Sequence, residues 1–196
     1  MDPQVYYGYV CAARAELWSF LQSLPEEDLD KAVIPGERFR SIKHLLLHIA
    51  DVEDYWVHEV IRGVESIFAS TWPHDRLAPN AERHPLEWIH TYTLAVQHAT
   101  EIYLRALDAS ELGRVVQQRP PQPQIPYAVE SLLWHTLTHE VRHSAQVALL
   151  ARQLGHTPPW LDFARFAPPA HAPAQPAPPN ESVAGDMRPA IIAPQS

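Results

Sequence analysis

Proline placement constrains this chain more than any other feature. A proline inside a helix removes a backbone hydrogen bond and clashes with the preceding turn, at a cost of about 3 kcal/mol or more. The 20 prolines of the 196-residue sequence fall at the edges of, and between, segments of helical periodicity. Asp2-Pro3 reads as an N-cap and first helical residue, and Val5, Tyr9, Ala12, Leu17 and Leu21 recur at helical spacing, so a first helix is predicted to about Leu24, ended by Pro25. Residues 25–40 contain Pro35-Gly36 and read as a loop. Ser41 can cap a second helix carrying Ile42, Leu45, Leu46, Ile49, Val52, Trp56 and Val60, with Gly63 at its C-terminal stop. After an irregular stretch holding Pro73 and Pro79, Pro85 opens a third helix with Leu86, Ile89, Leu94, Val96, Ile102 and Leu104, ending near Asp108. Pro120, Pro121, Pro123 and Pro126 keep helix out of the next connection. A fourth helix, the longest and most apolar, then runs from about Tyr127 to Leu154 and stops at Gly155. With no strand alternation or repeat period, the predicted fold class is all-α, a four-helix bundle.

From Pro168 the chain is dominated by Pro and Ala, a composition that buries too little surface to offset the entropy of ordering it. The predicted organisation is one domain over 1–167 and a flexible tail over 168–196. A formal charge of −8 leaves no excess of cations to neutralise phosphates, so no nucleic-acid partner is expected. Cys11 is the only cysteine, which excludes a disulfide framework and thiolate metal clusters. The start lacks the basic and apolar regions of a signal peptide, and no stretch approaches the roughly 18 apolar residues of a membrane span. A cytoplasmic protein without membrane association is expected.

Histidine is over-represented, with twelve in the chain. Advancing 100° per residue along the fourth helix, Ala128, Leu132, His135, His139, His143, Gln146 and Leu150 share one stripe, with apolar residues bracketing the histidines. Two imidazoles four residues apart on one face can converge on one ion. An isolated H-x3-H also arises by chance, but buried imidazoles stacked in an apolar stripe are costly to desolvate without a shared ligand. On the second helix His48 shares a stripe with Ser41, His44, Val52, Tyr55 and Glu59, and Asp51 lies three residues on. One histidine from the second helix and two from the fourth make an open site of three nitrogens.

The segments "HIADVEDYW" and "HEVRHSAQVALLARQLGHTPP" resemble the two signatures of the DinB/YfiT-like family: a histidine in the second helix, then H-x3-H, x-x-Q, an apolar stretch and a glycine. The resemblance covers residues 1 to about 167. It implies a four-helix bundle in which His48, His139 and His143 hold one divalent ion, zinc or nickel first, iron or manganese as other options. It further implies a homodimer. Characterised relatives include bacillithiol S-transferases, mycothiol-dependent isomerases and metal-dependent hydrolases. The chain departs from the family in carrying His143-Ser144-Ala145-Gln146 where many relatives have H-R-G-Q, and in the extra His135. That residue lies roughly 12 Å along the axis from His143, too far for both to join His139 on one ion, and the register of Gln146 favours the later pair.

Three neutral nitrogens leave open coordination, the arrangement of catalytic sites. Such an ion activates water or holds a thiol as thiolate, giving hydrolysis or S-transfer on a small molecule, with a low-molecular-weight thiol as one expected partner. Asp51 or Glu53 could serve as base, Asp51 having the better angle, and His44 could line the pocket. The rival function is a non-catalytic, stress-associated metal-binding protein. Trp134, Leu133, Leu137, Val141 and Ala148 make the far side of the fourth helix apolar as well. Either another subunit covers that side, which favours a dimer, or the helix is central and wrapped by the first and third.

Overall fold

The computed structural model of the chain describes residues 2–34, 36, 39–72 and 81–166. Among these the fold is all-α apart from one two-stranded ribbon. Four long helical units carry it: α1 (Pro3–Leu21), α3 (Ile42–Glu53) continued without a break by a π-helical segment (Asp54–Ile61), α5 (Leu86–Arg105) and α7 (Val129–Gln153). Between them lie the short helices α2 (Glu26–Asp30), α4 (Ile67–Thr71) and α6 (Ala109–Gly113), and α8 (Phe163–Phe166) follows α7. Strands β1 (Val115–Val116) and β2 (Tyr127–Ala128) pair antiparallel, Val115 opposite Ala128.

The caps explain the boundaries. Asp2 accepts a hydrogen bond from Gln4 N with Pro3 in the first turn, and Ser41 accepts from His44 N to start α3. Gly63 and Gly155 close the second and fourth units at φ 67° and 91°, a region where a side chain would be strained.

Buried apolar residues form two clusters at opposite ends of the bundle. One holds Leu17 and Leu21 of α1, Ile42 and Leu46 of α3, Tyr92 and Val96 of α5, and Leu150 of α7. The other holds Tyr7 and Val10, Val57 and Ile61, Leu104, Leu132 and Leu133. α1 and α7 therefore run from the second cluster to the first, and α3 and α5 run the opposite way. Each fully buried Leu or Ile contributes about 1.5–3 kcal/mol. Between the clusters every long helix places polar side chains, and this middle layer contains the site.

Several expectations are corrected. The first helix ends at Leu21, and its buried stripe is Tyr7, Val10, Arg14, Leu17 and Leu21, whereas Val5 and Ala12 are exposed. Leu94 and Ile102 of α5 also face outward. The loop after Pro25 contains α2, and Tyr127–Ala128 belongs to the ribbon, so α7 begins at Val129. The far side of α7 is covered within the chain: Leu133, Leu137 and Ala148 are buried while Trp134 and Val141 are half-buried. α7 packs on both α1 and α3, so the chain itself covers both apolar faces of that helix. The predicted tail 168–196 and its boundary at 167 lie outside the described residues.

Candidate metal centre

His48 projects from the middle of α3, half-buried, and His139 and His143 from successive turns of α7, both buried. One ligand-capable atom from each lies within 4.8 Å of the others, and among the described residues no other set of three or more His, Cys, Asp or Glu converges in this way. His139 Nε2 is 3.1 Å from His48 Nε2. A tetrahedral ion bound at 2.0–2.1 Å separates its ligand nitrogens by about 3.3 Å, so this pair already stands at a spacing suited to a shared ion.

The protonation states suit a cation. Gln146 Oε1 can only accept, so its 2.5 Å contact with His143 Nδ1 puts the proton there and makes Nε2 the unprotonated nitrogen of that ring. Burial, then the neighbouring His143, His48 and Arg142, push His139 down to about 3. Burial and Arg142 also lower His143, partly offset by the bond to Gln146. The two α7 imidazoles are therefore neutral at pH 7, with lone pairs available. Phe39 stacks on His48 with centroids 4.0 Å apart and meets His143 edge-on, covering one side. Arg142, exposed, places Nη2 3.2 Å from His143 Nε2.

The other sequence candidates lie elsewhere. Asp51 is exposed and is not among the converging groups. Glu53 points into the middle layer, away from solvent. His44 bonds Ser41 Oγ at 2.7 Å and stands 4.0 Å from Glu82. His135 is exposed, its ring 6.0 Å from that of His139 and edge-on to Trp56.

Two buried polar clusters were not anticipated. In the first, Arg14 of α1 donates Nε to Glu140 Oε1 at 2.8 Å, Nη2 to Glu53 Oε2 at 2.5 Å and to Glu140 Oε2, and Nη1 to Gln97 at 3.1 Å. Tyr7 donates its hydroxyl to Glu53 at 2.5 Å. Burial raises Glu140 even against the lowering influence of Arg14, and Arg14 itself is held well above its usual range by the two carboxylates. Glu140 directly follows His139, so α7 turns a histidine to α3 and a carboxylate to α1 in adjacent residues. The second cluster centres on Asp54, which accepts from Ile67 N, Phe68 N and the Tyr92 hydroxyl, and from His58 Nδ1 at 3.2 Å. It fastens α4 and α5 to the π-helical segment. His58 is fully buried, is lowered mainly by burial, and its Nε2 has no hydrogen-bond partner.

A cavity of about 570 Å³ opens between α1, α7 and residues 158–163. It is lined by Tyr6, Tyr9, Phe163 and Ala148, with Arg14 and Glu140 among its polar groups. None of the three histidines lines it.

No helix among the described residues is long and apolar enough to cross a membrane. The family model described as "DinB family" matches residues 1–179, and the chain belongs to that family. No curated protein matches the chain.

Proposed function

We propose that the protein binds one divalent metal ion through His48, His139 and His143 and uses it as a small-molecule enzyme, a thiol S-transferase or a hydrolase. The observation that carries the reading is the convergence of three imidazoles from two helices, one with its tautomer fixed by Gln146. An ion held this way lowers the pKa of a bound water or thiol and leaves room for substrate. The chain's own residues orient and shield: Gln146 holds the His143 ring, and Phe39 screens one side of His48 from water. Membership of the DinB family fits the same donor set. Imidazole suits zinc and nickel, and also iron and manganese. Asp51, three residues after His48 on α3 and exposed, would act as base only through a water or substrate reaching the protein surface.

Elemental analysis of the purified protein decides the first half of the proposal. One equivalent of metal is expected, lost in His139→Ala; a full equivalent retained by that variant would overturn the ligand assignment. A screen of thiol and ester substrates with metal added back decides the second. Turnover that disappears with the metal is expected, and metal binding without turnover would favour a non-catalytic metal-binding role.

A further inference from the structure

We infer that the cavity between α1, α7 and residues 158–163 is a binding site of its own, separate from the three histidines, and that it takes a small organic cation: a protonated amine on an aromatic or similarly apolar body. At about 570 Å³ the cavity has the size of a small-molecule site. Its walls are fastened in place. Tyr9 lines it and donates its hydroxyl to Leu161 O at 2.9 Å, and Arg165 of α8 pairs with Glu16 of α1 at 2.6 Å, so the segment after α7 is tied down across α1. The rings of Tyr6, Tyr9 and Phe163 pack on one another with centroids 5.0 to 5.5 Å apart. Trp160, which also lines the cavity, is 66% exposed, so an apolar ligand there gains indole surface to cover.

The polar part of the lining selects the charge. Arg14 and Glu140 both belong to it and are 5% and 6% exposed. Arg14 has already directed its donors inward: Nε and Nη2 to Glu140, Nη2 also to Glu53, and Nη1 to Gln97. An anion in the cavity therefore finds little left to accept from. Two carboxylates share that one guanidinium, so the cluster holds one more acid than base. Each oxygen of Glu140 accepts one bond from Arg14 and keeps a second lone pair. Ser144, one turn further along α7, adds a hydroxyl to the same lining. The other charged residues of the lining, Arg152 and Asp162, are both exposed and opposite in sign. The cavity thus offers acceptors and aromatic rings. An ammonium group uses both, donating to the carboxylate and the hydroxyl while the rings attract its charge. A neutral molecule of the same shape gains only the apolar contacts.

Isothermal titration of the full chain with 2-phenylethylamine, 2-phenylethanol and 3-phenylpropionate tests this, since the three share a ring and differ in the charge of the head group. The amine is expected to bind tightest, by roughly 10-fold or more over the alcohol, the range of one hydrogen bond to a charged group, with the acid weakest. Glu140→Gln, with helicity retained, should bring the amine to within about 3-fold of the alcohol. Ala148→Phe, which fills the cavity from α7, should weaken both. His139→Ala should leave the amine within about 2-fold of its wild-type affinity, because that ring does not line the cavity. An amine no tighter than the alcohol, an acid tighter than either, or a chain that binds none of the three would overturn the inference. So would a preference for the amine that persists in folded Glu140→Gln, an affinity unchanged in Ala148→Phe, or binding lost in His139→Ala, which would move the amine to the histidines. If Glu140→Gln does not fold, the wild-type comparison and Ala148→Phe still decide.

Discussion

Arg14, Glu53 and Glu140 occupy the same middle layer of the bundle as His48, His139 and His143, yet the two groups are completed differently. The first brings cation and anions from three helices and joins them through short hydrogen bonds out of water. It contains its own counter-charges and holds α1, α3 and α7 together. The second brings three imidazoles together, His139 Nε2 and His48 Nε2 3.1 Å apart and His143 bonded to Gln146, with no carboxylate in the set. Burial alone therefore does not mark a functional site. What separates the two is charge: the first set brings its own cation and carboxylates, whereas the second offers three nitrogens and no carboxylate.

The sharpest way to break this comparison is Arg14→Ala. It strands two buried carboxylates, and a loss of about 3–5 kcal/mol is expected by urea denaturation; a loss below about 1 kcal/mol would show that the cluster does not brace the fold. Replacing the whole set by Arg14→Met, Glu53→Gln and Glu140→Gln should return most of that stability, because no unpaired charge then remains. On the histidine side, metal at 100 times its dissociation constant should add about 2.7 kcal/mol, read as a rise in melting temperature. His139→Ala should abolish the rise. A metal-dependent rise retained in that variant would mean that the stabilising ion binds elsewhere.

The smallest effect concerns acid. His139 is depressed to about 3, so the unfolded chain takes up its proton near pH 6.5 while the folded metal-free protein does not. Its neutral form is fully accommodated above that pH, and stability falls as the pH drops from about 6.5 towards 3, by an amount that partial solvation of the ring keeps small. Metal-free His139→Leu should show a shallower decline over that window. Equal slopes in the two proteins would show that this ring is not held neutral by its surroundings.

The histidines were legible in the sequence because their geometry is local: His139 and His143 are one helical turn apart, and His48 stands on a stripe of its own. The long helices were legible for the same reason, through caps and proline breaks. The Arg14 cluster was not, since its partners lie 39 and 126 residues away and no local pattern links them. One signal was available. Tyr7, Val10, Arg14, Leu17 and Leu21 follow alternating steps of three and four, the spacing of a buried seam, with an arginine in the middle of it. Reading the stripe from apolar residues alone, through Val5 and Ala12, passes over that arginine. The second apolar face of α7 could be read as a sign of either a partner subunit or a central helix, and the packing of α1 against it, a long-range contact, shows that the helix is central.

The π-helical turn after Glu53 bears on how the sequence can change in length. Across Asp54–Ile61 the backbone bonds skip one residue further than in an α-helix, as when Arg62 N reaches Val57 O. Such a segment holds a surplus residue that the flanking helix does not need. Deleting a single residue there can relax it toward ordinary α-helix, with Ile42–Glu53 and its histidine keeping their rotation. The same deletion between Ser41 and His48 would swing the imidazole by about 100° relative to its N-cap. Insertions and deletions in this helix should therefore be tolerated on one side of Glu53 and selected against on the other.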